Sequence, residues 1–147
     1  MSFLEYCRYH GIKKQFTTSY TPQQNGVAER KNRTIMEMAR SMLKGKNLSN
    51  KYWAEGLACA VYILSRNPTN ILRDKIPQQA WSGKHHSVSP FKVFGCIAYA
   101  HVPKQTRSKL DDKSEKCIFV GYDEQSKVYK LFNSITKKVN VGRDFLF

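Results

Sequence analysis

The sequence predicts an α/β segment followed by an all-β segment: helix, strand and two helices, then a small barrel. Three observations predict it. Apolar residues recur at three- and four-residue steps from about residue 24 to residue 65, the period of a helix with one buried face. After Phe91 the period shortens to strands. Between them residues 67–90 carry Pro68, Pro77, Gly83 and Pro90, which break regular structure. With 147 residues, 41% of them hydrophobic and 12% aromatic, the chain can build a packed core.

Ser2, Phe3, Leu4, Tyr6 and Cys7 read as the end of a helix stopped by His10-Gly11. Residues 12–18 read as a short strand, and the order helix, glycine, strand suggests an α/β layer. Residues 19–26 hold three loop formers, Pro22, Asn25 and Gly26. The long helix runs from about Gln24 to Lys44. Ala28, Ile35, Met38, Ala39 and Met42 form its apolar face; Glu29, Arg33, Glu37, Arg40 and Lys44 form another; Gly45 and Asn47 end it. A further helix, Ser49 to Ser65, is capped by Ser49 or Asn50 and stops before Pro68. A turn of helix fits Pro77 to Trp81. Strands fit Val93–Val102, Lys116–Tyr122, Val128–Asn133 and Lys138–Gly142, with a stub at Phe145–Phe147. Hairpin turns fit Asp123–Ser126 and Asn133–Ser134. So many short strands in under sixty residues suggest a barrel.

The formal net charge is +14. Residues 1–80 carry thirteen Lys/Arg against five Asp/Glu, and residues 81–147 carry twelve against six, so both halves are basic. A long polyanion is the natural partner for such a chain. The four cysteines, Cys7, Cys59, Cys96 and Cys117, form no CxxC pair and read as buried thiols. No signal peptide and no stretch of membrane-spanning length is visible, so an intracellular setting without membrane contact is expected.

One stretch draws attention: Pro22-Gln23-Gln24-Asn25-Gly26-Val27-Ala28-Glu29-Arg30-Lys31-Asn32-Arg33. It places one carboxylate at a helix start amid cations. Glu29 has two readings. One is an exposed acid that favours the helix dipole and pairs with Arg33 four residues on. The other is a metal ligand facing a cleft beside Asn25-Gly26. A two-metal phosphoryl-transfer centre needs several carboxylates, yet the only other acid ahead of Glu29 is Glu5 and no aspartate precedes Asp74. Arg30, Lys31, Arg33, Arg40, Lys44 and Lys46 read either as a solvated face or as contacts to a nucleic-acid backbone; Asn32 could donate to a phosphate or a base. Tyr122, Tyr129 and Phe132, interleaved with Lys127, Lys130, Lys137 and Lys138, read either as a stacking surface or as barrel core. His85-His86, and Cys96 with His101, lack zinc spacing. No phosphate loop or dinucleotide fingerprint is present.

The string Pro22-x-x-Asn25-Gly26-x-Ala28-Glu29-Arg30-x-Asn32 resembles the last catalytic motif of retroviral-type integrases, most closely those of copia-type long-terminal-repeat retrotransposons. The resemblance continues through Trp53-Ala54-Glu55, Ala58-x-x-x-x-Ile63-x-x-Arg66, Pro77, Trp81, Gly83-Lys84, Phe91-x-Val93-Phe94-Gly95-Cys96-x-Ala98-Tyr99 and Phe119-Val120-Gly121-Tyr122. It implies three parts: residues 1–66 as the end of an RNase H-like integrase core, 67–90 as a linker, and 91–147 as the SH3-like barrel that follows the core in copia-type Pol polyproteins. In that family two aspartates and a glutamate bind two Mg²⁺ or Mn²⁺ ions for DNA integration. Glu29 matches the glutamate; the aspartates would fall upstream of Met1 and have no counterpart here. The expectation is therefore an integrase fragment without activity of its own, with Glu29 as a metal ligand only beside the missing aspartates. Asn25, Arg30, Lys31, Asn32, Arg33, Arg40 and Lys44 are its expected DNA contacts, other integrase chains are possible partners, and the parent element would act in the nucleus. Two alternatives stand beside this: a basic nucleic-acid-binding module, and a subunit that supplies Glu29 to a partner carrying the aspartates.

Overall fold

The computed structural model describes residues 2–14, 16–85, 87, 89–123 and 128–147. They form two compact units, Met1–Thr34 and Ile35–Phe147.

In the first unit, α1 (Phe3–Tyr9) opens with a capping box. The Ser2 hydroxyl accepts from the Glu5 N–H at 3.3 Å, and the Glu5 carboxylate accepts from the Ser2 N–H at 2.7 Å. It closes at Gly11, whose left-handed φ of 64° lets the Ile12 N–H reach the Cys7 carbonyl at 2.8 Å. The strand expected over residues 12–18 is not formed by the described residues of that stretch, 12–14 and 16–18. A strand needs a neighbouring edge for its N–H and C=O groups, and among the described residues the five strands pair only with one another. The α/β layer expected here therefore contains no sheet. A 3₁₀ turn, Pro22–Asn25, leads into α2 (Gly26–Gly45), which begins in this unit and ends in the other.

In the second unit α2 buries Ala39 and Leu43 and half-buries Ile35, Met38 and Met42, whereas Ala28, assigned to the same face, is exposed in the first. Its end is a glycine-like cap made by Asn47 at φ 50°. The Leu48 N–H donates to the Leu43 carbonyl at 3.0 Å and the Asn47 N–H to that of Lys44 at 3.1 Å. The Ser49 hydroxyl accepts from the Lys51 N–H at 3.4 Å and starts the turn that enters α3 (Trp53–Arg66). Helix α3 meets α2 at Gly56, where a Cβ would make ordinary contacts, 3.7 Å from Leu43 and 3.8 Å from Ala39. Helix α4 (Pro77–Ser82) is ended by Gly83 at φ 69°.

Strands β1 (Ile97–His101), β2 (Ser114–Asp123), β3 (Val128–Phe132), β4 (Val139–Gly142) and β5 (Phe145–Leu146) form one antiparallel sheet of order β4-β3-β2-β1-β5. The order itself demands curvature. A flat sheet would hold β4 and β5 four spacings apart, about 19 Å, but the three links from Gly142 to Phe145 span at most about 11 Å. The sheet must roll until its two edges approach. A bulge between Phe119 and Gly121 adds bend. The turn expected at Asp123–Ser126 falls largely outside the described residues.

Inside the roll, Ala98, Ala100, Cys117, Phe119 and Leu131 are buried together; Leu43, Cys59 and Phe94 form a second core between helices and sheet. Tyr122 packs against both. The cysteines are free, with Cys7, Cys59 and Cys117 buried. Burial pushes the Cys59 thiol from 9.0 to about 12. A group held protonated in the fold but free to ionise when unfolded stabilises fully below pH 9 and loses that contribution as pH climbs toward 12. Cys59 should thus cost on the order of 1 kcal/mol of stability by pH 10. Urea unfolding between pH 8 and pH 10 checks this: Cys59→Ala should be weaker at pH 8 yet flatter with pH. A residual slope is expected from Cys96, Cys117, Tyr122 and Tyr129, which burial also raises.

Candidate nucleic-acid interface

The turn that presents the candidate residues is held by its own side chains. The Gln24 side-chain Oε1 accepts from the Thr18 N–H at 3.0 Å, and the Thr21 backbone carbonyl from the Gln24 N–H at 3.1 Å. Asn25 ends the 3₁₀ turn and Gly26 begins α2. Glu29 falls in the first helical turn, where an acid complements the unpaired N–H groups. It is exposed, and among the described residues it makes no ion pair. The pairing with Arg33 expected from the spacing is not formed. Such a pair in water is worth a few tenths of a kcal/mol at most, about 0.3–0.5, too little to hold both side chains.

Arg30 turns back along the helix, its Nε donating to the Gly26 carbonyl at 3.2 Å, and the Thr34 hydroxyl donates to the Arg30 carbonyl at 2.9 Å. Lys31, Asn32 and Arg33 are exposed in the first unit, as are Arg40 and Lys44 in the second. Arg33, Arg40 and Lys44 share the three- and four-residue rhythm of α2 with Glu29 and Glu37, while Lys31 falls outside it. Lys130 pairs with Asp123 at 3.5 Å. Among the described residues no ion pair ties down Lys31, Arg33, Arg40 or Lys44.

The two-metal centre that the resemblance implies does not fit the residues present. Its chemistry needs several convergent carboxylates; Glu29 stands exposed, and among the described residues no three His, Cys, Asp or Glu gather to hold an ion. No helix of the described residues is long and apolar enough to cross a membrane.

The aromatic residues of the sheet serve its core. Tyr122 and Tyr129 pack on the Phe119 cluster, and their hydroxyls reach the approaching chain: Tyr122 accepts from the Lys92 N–H at 2.8 Å, Tyr129 donates to the Pro90 carbonyl at 3.1 Å. Phe132 is half-buried against Tyr52, ring centroids 5.2 Å apart. Lys127 and His86 lie outside the described residues. The sequence did not single out Lys51 and Tyr52, which meet Phe132, nor the Tyr62 ring stacked on Tyr122 at 4.0 Å with the Arg66 guanidinium 3.6 Å away. Cross-strand register and helix-to-sheet placement carry no local sequence signal.

Residues 96–147 match the family described as retroviral polymerase SH3-like domain. The retrovirus-related Pol polyprotein from transposon TNT 1-94 of Nicotiana tabacum is 49% identical over 99% of this chain and 11% of its own length. The Pol polyprotein from transposon RE1 of Arabidopsis thaliana is 34% identical over 97% of this chain and 10% of its own. An uncharacterized mitochondrial protein of Arabidopsis thaliana is 29% identical over 76% of this chain and 88% of its own length. The chain thus spans about a tenth of the Pol polyproteins it matches.

Proposed function

We propose, given that residues 96–147 match the retroviral polymerase SH3-like domain family and that nearly the whole chain is similar to Pol polyproteins of plant transposons, that it is an integrase-derived DNA-binding segment. Residues 1–66 are read as the end of an RNase H-like core, 67–90 as a linker and 91–147 as the SH3-like barrel. The observation that carries the reading is the set of exposed cations on α2, Arg33 in the first unit and Arg40 and Lys44 in the second, unpaired among the described residues. Arg30, Lys31, Asn25 and Asn32 add to the first unit's share. The chain binds the DNA backbone through these groups, with no base code of its own. Glu29 acts as a ligand for Mg²⁺ or Mn²⁺ only beside further carboxylates that this polypeptide does not supply, so alone it joins no DNA ends.

Filter binding of a 30-base-pair duplex across a salt series tests the reading. With five phosphate contacts, log affinity should fall against log salt with a slope of about −4 to −5. Changing Arg33, Arg40 and Lys44 together to glutamine should make it shallower by about 2–3. An unchanged slope removes α2 from the interface. Magnesium-dependent joining of a donor end, abolished by Glu29→Gln, would overturn the claim of inactivity.

A further inference from the structure

Four residues stand directly opposite one another across four strands: Ile97, Ile118, Phe132 and Val139. Directly opposed residues share a sheet face, and this one lies opposite the Phe119 and Leu131 core. The row is not closed over. Ile97 and Val139 are about half exposed, at 49% and 53%, and Val141 beside it is 54% exposed. At the β4 end the row drops into a groove of about 340 Å³ floored by Tyr52, Val120, Phe132 and Val139.

Lys51 and Lys137 also line this groove, against the single carboxylate of Glu55. Lys137 holds a left-handed backbone, φ 58°, which glycine or asparagine adopts at less cost. The left-handed position closes the β3–β4 hairpin, where the Asn133 N–H donates to the Lys138 carbonyl at 2.9 Å, and a lysine there sets an ammonium at the rim of the open apolar groove.

Charge and ring geometry choose the occupant. The Lys51 ammonium lies 4.9 Å from the Tyr52 ring centroid and 5.4 Å from that of Phe132, so it already claims the aromatic surface on which a nucleobase would stack. A second copy of the chain would bring another +14 of charge to a lysine-rimmed face. We infer that this groove receives a short segment of a different polypeptide in which aliphatic side chains alternate with carboxylates. The aliphatic groups fill the floor between Val120 and Val139, and the carboxylates pair with Lys51 and Lys137. Laid across the strands, such a segment would continue over Phe132 and Ile118 toward Ile97.

The full 147-residue chain titrated into a fluorescein-labelled ten-residue peptide of alternating glutamate and leucine, read by anisotropy in 150 mM salt, tests this. Saturable binding is expected, weakened at least tenfold when serine replaces leucine at constant charge. Lys51→Glu combined with Lys137→Glu should weaken it tenfold or more. Lys137→Gly should weaken it several-fold without lowering Tm, which separates a docking role from a structural one. Backbone amide shifts should centre on Tyr52, Val120 and Val139. Equal binding of the serine peptide, no saturation, shifts elsewhere, or displacement by single-stranded oligothymidine of equal charge at equal concentration would each overturn the assignment.

Discussion

Tyr122→Ala is expected to destabilise the second unit by about 2–4 kcal/mol, toward the low side of the range for a large core ring because Tyr122 is half-buried. The ring serves two cores. It packs with Phe119 edge-on at 5.0 Å inside the roll, and lies flat on Tyr62 of α3 at 4.0 Å with only 13° between planes. Deleting it opens a void on both sides, and neither the helix nor the curved sheet can close it without breaking its own hydrogen bonds. The hydroxyl accounts for a smaller share. It accepts from the Lys92 N–H at 2.8 Å and donates toward the Lys92 carbonyl at 3.4 Å. Tyr122→Phe leaves that N–H without its partner and should cost about 1–2 kcal/mol. Urea unfolding of both variants and of Tyr62→Ala measures the division. Strong coupling between positions 62 and 122 is expected; additive effects, or a loss under 1 kcal/mol in Tyr122→Ala, would show that helix and sheet do not lean on this ring.

What could be read from the sequence is what local chemistry decides. Gly11, Asn47 and Pro77 each act on the backbone within a few residues of themselves, and each marks a boundary where the structure has one, whereas the segment read as the end of a helix is a whole short helix begun by Ser2 with Glu5. The short strands after Phe91 were visible as alternation. The strand expected over residues 12–18 was not local in the same sense. Ile12, Phe16 and the threonines favour extended backbone, but a strand exists only against another, and no propensity supplies the neighbour. The same holds for Glu29. Its place in the first helical turn was legible from Asn25-Gly26; the company a carboxylate keeps is a matter of tertiary assembly. Register was hidden as well. Nothing in the separate strands announces that Ile97, Ile118, Phe132 and Val139 will stand in one row.

Gly95 provides the sharpest test of how the end of α2 meets the sheet. Its φ is 77°, a conformation that costs an alanine about 1–2 kcal/mol. A Cβ there would lie 2.8 Å from both Cβ and Cγ of Lys46 and 3.0 Å from a methyl of Leu48. Lys46 Cβ is anchored one bond from the backbone, and that backbone is pinned by the cap of α2. Gly95 cannot retreat either. Its N–H donates to the Phe119 carbonyl at 2.8 Å, and the Phe119 N–H donates to the Cys96 carbonyl at 2.9 Å. Gly95→Ala should therefore cost about 2–4 kcal/mol, strain and overpacking together, and Gly95→Val more. Gly83 separates the two contributions. It has φ 69° with nothing within 4 Å of a built Cβ, so Gly83→Ala bears the backbone cost alone. Thermal unfolding of the two alanine variants side by side gives the difference. If position 95 proves no more sensitive than position 83, the close approach of Gly95 to Lys46 and Leu48 is wrong, and with it the seat that holds the end of the basic helix against the sheet.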